Sequence, residues 1–104
     1  MRAEPKFDDA IHALTRLRLC ALLRPVQSAE FGAVKDMLKV SDANLSKTVR
    51  ALAEMGYIAT SKQRSPERHD ARLTTLLWLT EAGKRAFDGH LSAITALSLG
   101  PGVN

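Results

Sequence analysis

Apolar residues recur along the chain at two periods, and the change from one to the other divides it. From Asp8 to Leu23 they fall at Ile11, Leu14, Leu17, Leu19, Leu22 and Leu23, close to the three-or-four spacing that lines one face of a helix. Asp8 and Asp9 complement the positive end of that helix's dipole, and Pro25 biases Arg24 away from helical angles and ends it. Ser28 is a suitable N-cap for a second helix, with Glu30 in its first turn and Phe31, Val34 and Leu38 as its buried stripe. Ser41 or Asp42 caps a third, whose Leu45, Val49 and Leu52 recur at i, i+4 and i+7 and which Gly56 closes. From Tyr57 the period suits extended chain: Tyr57 to Ser61, and Leu73 to Leu79 with its Thr, Leu and Trp, read as strands joined by the polar stretch Lys62 to Arg72. Thr80 then caps a last helix striped by Phe87, Leu91, Ile94 and Ser98, and Gly100-Pro101-Gly102 ends it.

The pattern thus predicts helices over 8–24, 28–39, 42–55 and 80–98 and strands over 57–63 and 72–79. That is a mainly α chain with a small β-hairpin, of the α+β class, expected to form one domain over residues 1–104. Two helices of about three turns joined by roughly three residues, the second opening on a polar cap, make a helix-turn-helix. Aromatic residues are only 5% of the chain, so the core is expected to be built from Leu, Ala, Val, Ile and Met, which suits helix packing.

The net charge of +4 makes an anionic partner plausible without saying which. Its distribution says more: Arg16, Arg18 and Arg24 fall in one stretch with no acid, and Lys62, Arg64, Arg68 and Arg72 outnumber Glu67 and Asp70 in the hairpin. Cys20 is the single cysteine, which excludes an internal disulfide and fits a reducing compartment. No run approaches the roughly 20 apolar residues that span a bilayer, and the first residues lack a signal peptide's apolar stretch. A cytoplasmic protein without a membrane partner is the expectation.

Three stretches carry a family likeness: Ile11 to Leu17; Asn44-Leu45-Ser46-Lys47-Thr48-Val49-Arg50-Ala51-Leu52 running into Glu54-Met55-Gly56-Tyr57-Ile58; and Leu79-Thr80-Glu81-Ala82-Gly83-Lys84. In this order and at these spacings the chain resembles the short winged helix-turn-helix regulators of the ArsR and MarR type, from about Ile11 to Leu97. The resemblance implies a transcriptional regulator that binds double-stranded DNA, a homodimer joined by its first and last helices, and no cofactor. Ile11, Leu14, Phe87, Leu91, Ile94 and Leu97 are the interface candidates. One departure is that Lys39 stands where the turn of this motif often holds a left-handed glycine, at a cost on the order of 1 kcal/mol.

Advancing 100° per residue from the apolar stripe places Ala43, Lys47, Arg50 and Ala51 on the outer face of the third helix, with Asn44 and Ser46 at its edges and Ser41 at its start. A helix fits the major groove, where Asn pairs bidentately with adenine and Arg or Lys with guanine. Arg64, Arg68 and Arg72, with His69, are placed to follow phosphates or enter the minor groove from the hairpin. A basic face also suits an acidic protein, so a winged-helix interaction module is the alternative reading.

His12, His69, His90 and Cys20 lack metal-ligand spacing and are expected to pack in the core or an interface, with no metal bound. Trp78 is expected to anchor the hairpin to the core rather than stack on a base. No Gly-rich phosphate loop, nucleophile elbow or HExxH is present, and the acids lie at helix starts, so an enzyme is not expected.

Overall fold

The computed structural model describes residues 3–64 and 73–100. In chain order the elements are α1 (Asp9–His12), α2 (Leu14–Leu23), β1 (Ala29–Glu30), α3 (Phe31–Leu38), α4 (Asp42–Glu54), β2 (Ile58–Arg64), β3 (Leu73–Leu79) and α5 (Glu81–Leu99). The sheet is antiparallel in the order β1-β3-β2, with Ile58 opposite Leu79 and Arg64 opposite Leu73. Helices pack on one face of it, giving the expected α+β arrangement of helix, helix-turn-helix, hairpin and helix.

The local signals act where the sequence puts them. The Ser41 hydroxyl accepts from the Asn44 amide at 3.0 Å, and the Thr80 hydroxyl accepts from the Gly83 amide at the same distance, so α4 and α5 begin on side-chain caps. Gly56 takes the left-handed conformation after α4, with φ of 78°. Lys39 adopts φ 57° and ψ 50° as the C-cap of α3, the conformation glycine would take more cheaply. Its amide donates to the Lys35 carbonyl at 2.9 Å, and half-buried Val40 packs against the core just beyond it. These contacts offset the left-handed backbone and fix the turn into α4.

Leu19, Cys20 and Leu23 of α2, Val34 and Leu38 of α3, Leu45, Val49 and Leu52 of α4, and Ile58, Leu77 and Leu79 of the sheet form one buried cluster, joined by Ile11 and Phe87. Thr48, one turn from Leu45 and Leu52, is also buried, and its hydroxyl is satisfied by the Asn44 carbonyl at 2.9 Å. Trp78 alternates with Leu77 and Leu79, so it points from the sheet face opposite the core-facing leucines. It is half-buried there beside Ala59 rather than anchored in the core.

Several boundaries differ from expectation. The helix expected over 8–24 is broken at Ala13, whose ψ of 133° is extended, leaving a one-turn α1 and a separate α2. Leu14 consequently turns outward and is 70% exposed, although its spacing placed it on the buried stripe. The helix expected over 28–39 begins at Phe31, because residues 29 and 30 are taken by pairing with Leu77 and Leu76 of β3. Ser28 therefore caps nothing, and Glu30 holds the N-cap position without a side-chain cap bond. The remaining ends move by one residue: α4 stops at Glu54, β2 runs 58–64, and α5 spans 81–99 with Thr80 outside it as cap. Residue 72, the expected start of the second strand, lies outside the described residues.

Candidate nucleic-acid interface

The outer face of α4 is open. Ser41, Ala43, Asn44, Ser46, Lys47 and Arg50 are all exposed, while Leu45, Thr48, Val49 and Leu52 hold the opposite side in the core. Ala51, half-buried, lies at the margin. Lys47 and Arg50 have no carboxylate within 4 Å among the described residues, so both cations are free to meet an anion. Ser41 spends its oxygen as the α4 cap but keeps its hydroxyl proton for a donor role. Asn44 Oδ1 accepts from the Thr48 hydroxyl at 3.4 Å, and among the described residues its carboxamide NH2 group has no hydrogen-bond acceptor. Glu54, exposed on the same outward face, was not singled out by sequence and opposes phosphate there.

A cleft of about 300 Å³ runs beside this face, between the α1–α2 junction (Ala13 to Arg16) and the flank of α4 formed by Asn44, Lys47, Thr48 and Ala51. Sequence reasoning noted the acid-free run of arginines but gave Arg16 no role. The three arginines have different fates. Arg24 is held bidentately by Asp88 at 2.8 and 2.9 Å, Arg18 donates to the Leu38 carbonyl at the end of α3, and Arg16 lies in the cleft wall, reaching the Ala10 carbonyl at 3.3 Å. The Arg24 guanidinium holds the Asp88 carboxyl below its usual range, while Asp88 raises Arg24 in turn. Of the three, Arg16 lies in the wall of the cleft beside α4, where its charge can meet a phosphate.

In the hairpin, Thr60, Lys62 and Arg64 alternate with Ser61 and Gln63 along β2, so Lys62 and Arg64 share one exposed face. Arg68, Arg72 and His69 lie outside the described residues.

The interface candidates on the first and last helices divide. Ile11 and Phe87 are buried in the chain's own core and present no surface. Leu14 is exposed beside α4, in the cleft wall, and not beside α5. Leu91 and Leu97 are 48% and 71% exposed, and Ile94 is half-buried.

His12, His90 and Cys20 make their contacts within the fold. His90, 1% exposed, accepts the Asp8 amide at Nδ1 (3.0 Å), which places its ring proton on Nε2, 3.1 Å from His12 Nδ1. No group of three or more potential ligands forms among the described residues. Burial, with the Asp8 charge, pushes the Cys20 thiol up to about 11.

Residues 15–98 match a family model described as a winged helix DNA-binding domain. The chain belongs to that family. The matched stretch runs from α2 to the end of α5 and so takes in the helix-turn-helix, both hairpin strands and the closing helix. The winged-helix chain is also 29% identical over 87 residues to the uncharacterised protein MJ0432 of Methanocaldococcus jannaschii, covering 84% of this chain and 90% of that one. Its fold superposes with a TM-score of 0.77 on a transcriptional regulator homologue from Pyrococcus horikoshii, at 24% identity, over 88% of this chain and 86% of the other. No described helix is long and apolar enough to cross a membrane.

Proposed function

We propose that this winged-helix protein is a homodimeric transcriptional regulator that binds double-stranded DNA with sequence specificity and represses by occupying its site. The observation that carries the reading is the uncovered outer face of α4, where Lys47 and Arg50 have no acidic partner among the described residues and stand between small Ala43 and Ala51, which let a groove approach the helix. Asn44 and Ser46 read base edges or phosphate from its edges, Arg16 takes a flanking phosphate, and Lys62 and Arg64 follow the backbone from the wing. A role in binding, not catalysis, is supported by the occupation of Asp8 and Asp88 in structural contacts.

The second copy is argued from α5. Its core-side stripe, Phe87 and His90, continues through Ile94 to Leu97 beyond the body that buries the first two, and residues 95–99 are all exposed. A helix end with no packed face is marginal in water, so an apolar stripe of this kind is suited to a symmetric partner. Leu91, Ile94 and Leu97 are the contacts retained from the sequence expectation. Sedimentation at micromolar concentration is expected to give a dimer that Leu97→Glu dissociates, and a monomeric wild type overturns this part.

DNA binding is tested by fluorescence anisotropy with generic duplex across 50–200 mM salt. Each lost phosphate contact makes the log–log salt slope shallower by about 0.9, so Lys47→Ala in a dimer is expected to lower it by about 1.8. The ratio of wild-type to variant affinity then shrinks roughly tenfold over that range. No binding at low salt, or a slope unchanged by both Lys47→Ala and Arg50→Ala, overturns the reading in favour of a protein-interaction module. Selection from a random DNA pool should return a palindrome; an unselective pool overturns specificity.

A further inference from the structure

Both ring nitrogens of buried His90 are in use: Nδ1 accepts the Asp8 amide at 3.0 Å, and Nε2–H donates to Nδ1 of exposed His12 at 3.1 Å. A further proton on either ring disrupts this chain. On His90 it must sit at Nδ1, facing the Asp8 N–H; on His12 it must sit at Nδ1, facing the His90 N–H. Exchanging tautomers does not help, because a proton moved from His90 Nε2 to Nδ1 meets the Asp8 amide again. Protonation and the present contacts therefore exclude each other, and at 1% exposure His90 has no water to replace them.

The surrounding charges do not hold an imidazolium in place. Asp8 gives its carboxylate to the Tyr57 hydroxyl and to the Ala10 and Ile11 amides, and Asp88 of α5 is held bidentately by Arg24 of α2. Glu4 and Asp9 are exposed, as are the cations Lys6 and Arg85, and Arg16 of α2 reaches the Ala10 carbonyl. Cys20 of α2 and Tyr57 both stand above their ordinary values and are neutral at and below pH 7. Among the described residues no carboxylate accepts from either imidazole.

The part free to yield is the N-terminal strap. Residues 3–8 run along α5, tied by the Ser92 hydroxyl to the Ala3 carbonyl (2.8 Å), the Lys6 amide to the Gly89 carbonyl (2.9 Å) and the Asp8 amide to His90. Residues 4–7 are exposed, and the Phe7 ring meets the His90 ring edge-on at 5.8 Å, so the strap covers the imidazole while burying little of itself. Such a segment stands at the low end of local stability, whereas α1 beyond it is anchored in the core by Ile11. We propose that the His90–His12 pair is a proton-operated latch, which holds residues 3–8 on α5 at neutral pH and releases them as the imidazoles protonate. Release lifts Phe7 and the Asp8 amide from His90 and gives Nδ1 water for its proton, while His12 turns into solvent. An imidazole in water takes up its proton at about pH 6.5, so each ring that gains it only on release raises the released-to-docked ratio about tenfold between pH 7.5 and 5.5. Docking is therefore favoured above that range and lost as pH falls through it. The latch does not depend on the DNA-binding reading.

The test is amide hydrogen exchange on the full chain without DNA, compared at pH 7.5 and 5.5 after correction for intrinsic rates. The Lys6 and Asp8 amides are expected to lose protection about tenfold or more on acidification, while Val49 and Leu52 in α4 keep theirs. His12→Gln, at an exposed position, retains an acceptor for the His90 Nε2–H but removes one titrating ring, so its loss should be smaller than that of the wild type. His69→Gln removes the chain's remaining imidazole and should behave as the wild type does. Strap amides equally protected at both pH values, or an equal loss in α4, overturn the latch. A His12→Gln protein that matches the wild type, or a His69→Gln protein that loses the effect, overturns the assignment to this pair. Long-range proton–nitrogen spectra add a direct reading: a His90 imidazolium seen while the Asp8 amide is still protected overturns the exclusion on which the latch rests.

Discussion

Two glycines should respond to the same substitution with opposite sign. Gly83 lies in the first turn of α5 with its Cα against the backbone of Tyr57, and a Cβ built there collides with the Tyr57 carbonyl oxygen. The colliding atom belongs to backbone that is fixed by the Thr80 amide, which donates to the same carbonyl at 3.0 Å, and by the Thr80 hydroxyl on the Gly56 carbonyl. Neither side can rotate away as a side chain would. Gly83→Ala therefore forces α5 away from the start of β2, at an overpacking cost of about 1–3 kcal/mol. Weakening the Thr80 to Tyr57 bond adds about 1 kcal/mol, and alanine's higher helix propensity returns about as much. The net loss of about 1–3 kcal/mol corresponds to a fall in Tm of roughly 5–20 °C for a domain of this size. Gly32, in α3, has nothing within 4 Å of its Cβ position and no positive φ. Gly32→Ala should raise stability by about 0.5 kcal/mol through propensity alone. Thermal and urea unfolding of both variants measures the pair. A Gly83→Ala protein as stable as wild type refutes the close-approach argument, and equal losses at both sites refute the distinction between them.

Three further outcomes follow from the titrating groups. Tyr57 is the single tyrosine, so absorbance at 295 nm reports it alone; donation to Asp8 raises it, and its midpoint should exceed the ordinary value of 10.0 and fall in Asp8→Asn. A raised acid stabilises the fold below its unfolded value and loses that contribution as pH rises through the folded one, so Tyr57→Phe should lessen the stability lost above about pH 10. Asp88 moves the other way: lowered by Arg24, it contributes above the ordinary carboxylate value and loses the contribution as pH falls through its lower folded value. Acid unfolding below about pH 4 should be less steep in Asp88→Asn, and only modestly so because the pair is partly solvated. Cys20, fully buried and pushed up to about 11, should react with a thiol reagent at neutral pH only as fast as the protein opens, and a rapid native-state reaction refutes its burial.

What the sequence made legible was settled by neighbours in the chain. As helix caps and stops, Ser41, Gly56 and Thr80 act within three residues of themselves, and Lys39 stands in its left-handed turn because Lys35 and Val40, also close by, hold it there. The departures have distant causes. Residues 29 and 30 leave α3 because Leu76 and Leu77, more than forty positions on, offer them a ladder. Leu14 reads as core by spacing, yet Ile11 is fixed in the core with Phe87 while Leu19, Cys20 and Leu23 are fixed against α3 and the sheet; the chain meets both demands by bending at Ala13. Asp8 reads as a dipole complement, and it caps α1 as that reading implies, but its second oxygen reaches Tyr57, 49 residues away. Periodicity contains no term for such a pairing.

The same distinction governs the charge. A net +4 says little about where an anion binds, because cations that meet carboxylates are removed from the field. Arg24 is taken by Asp88, Lys35 by Asp42 and Lys84 by Glu81, so these three cations are paired within the fold. Among the described residues Lys47 and Arg50 on the outer face of α4, and Lys62 and Arg64 along β2, have no carboxylate within 4 Å, and Glu54 is the acid that shares the outer face of α4. The charge available to DNA is therefore set by where the acids are absent, and Glu54→Gln is expected to tighten duplex binding several-fold at 50 mM salt and much less at 200 mM, by analogy with the phosphate screening of exposed charges. Equal tightening at both salts would mean that Glu54 acts on a base edge, and no change would remove it from the DNA-facing surface.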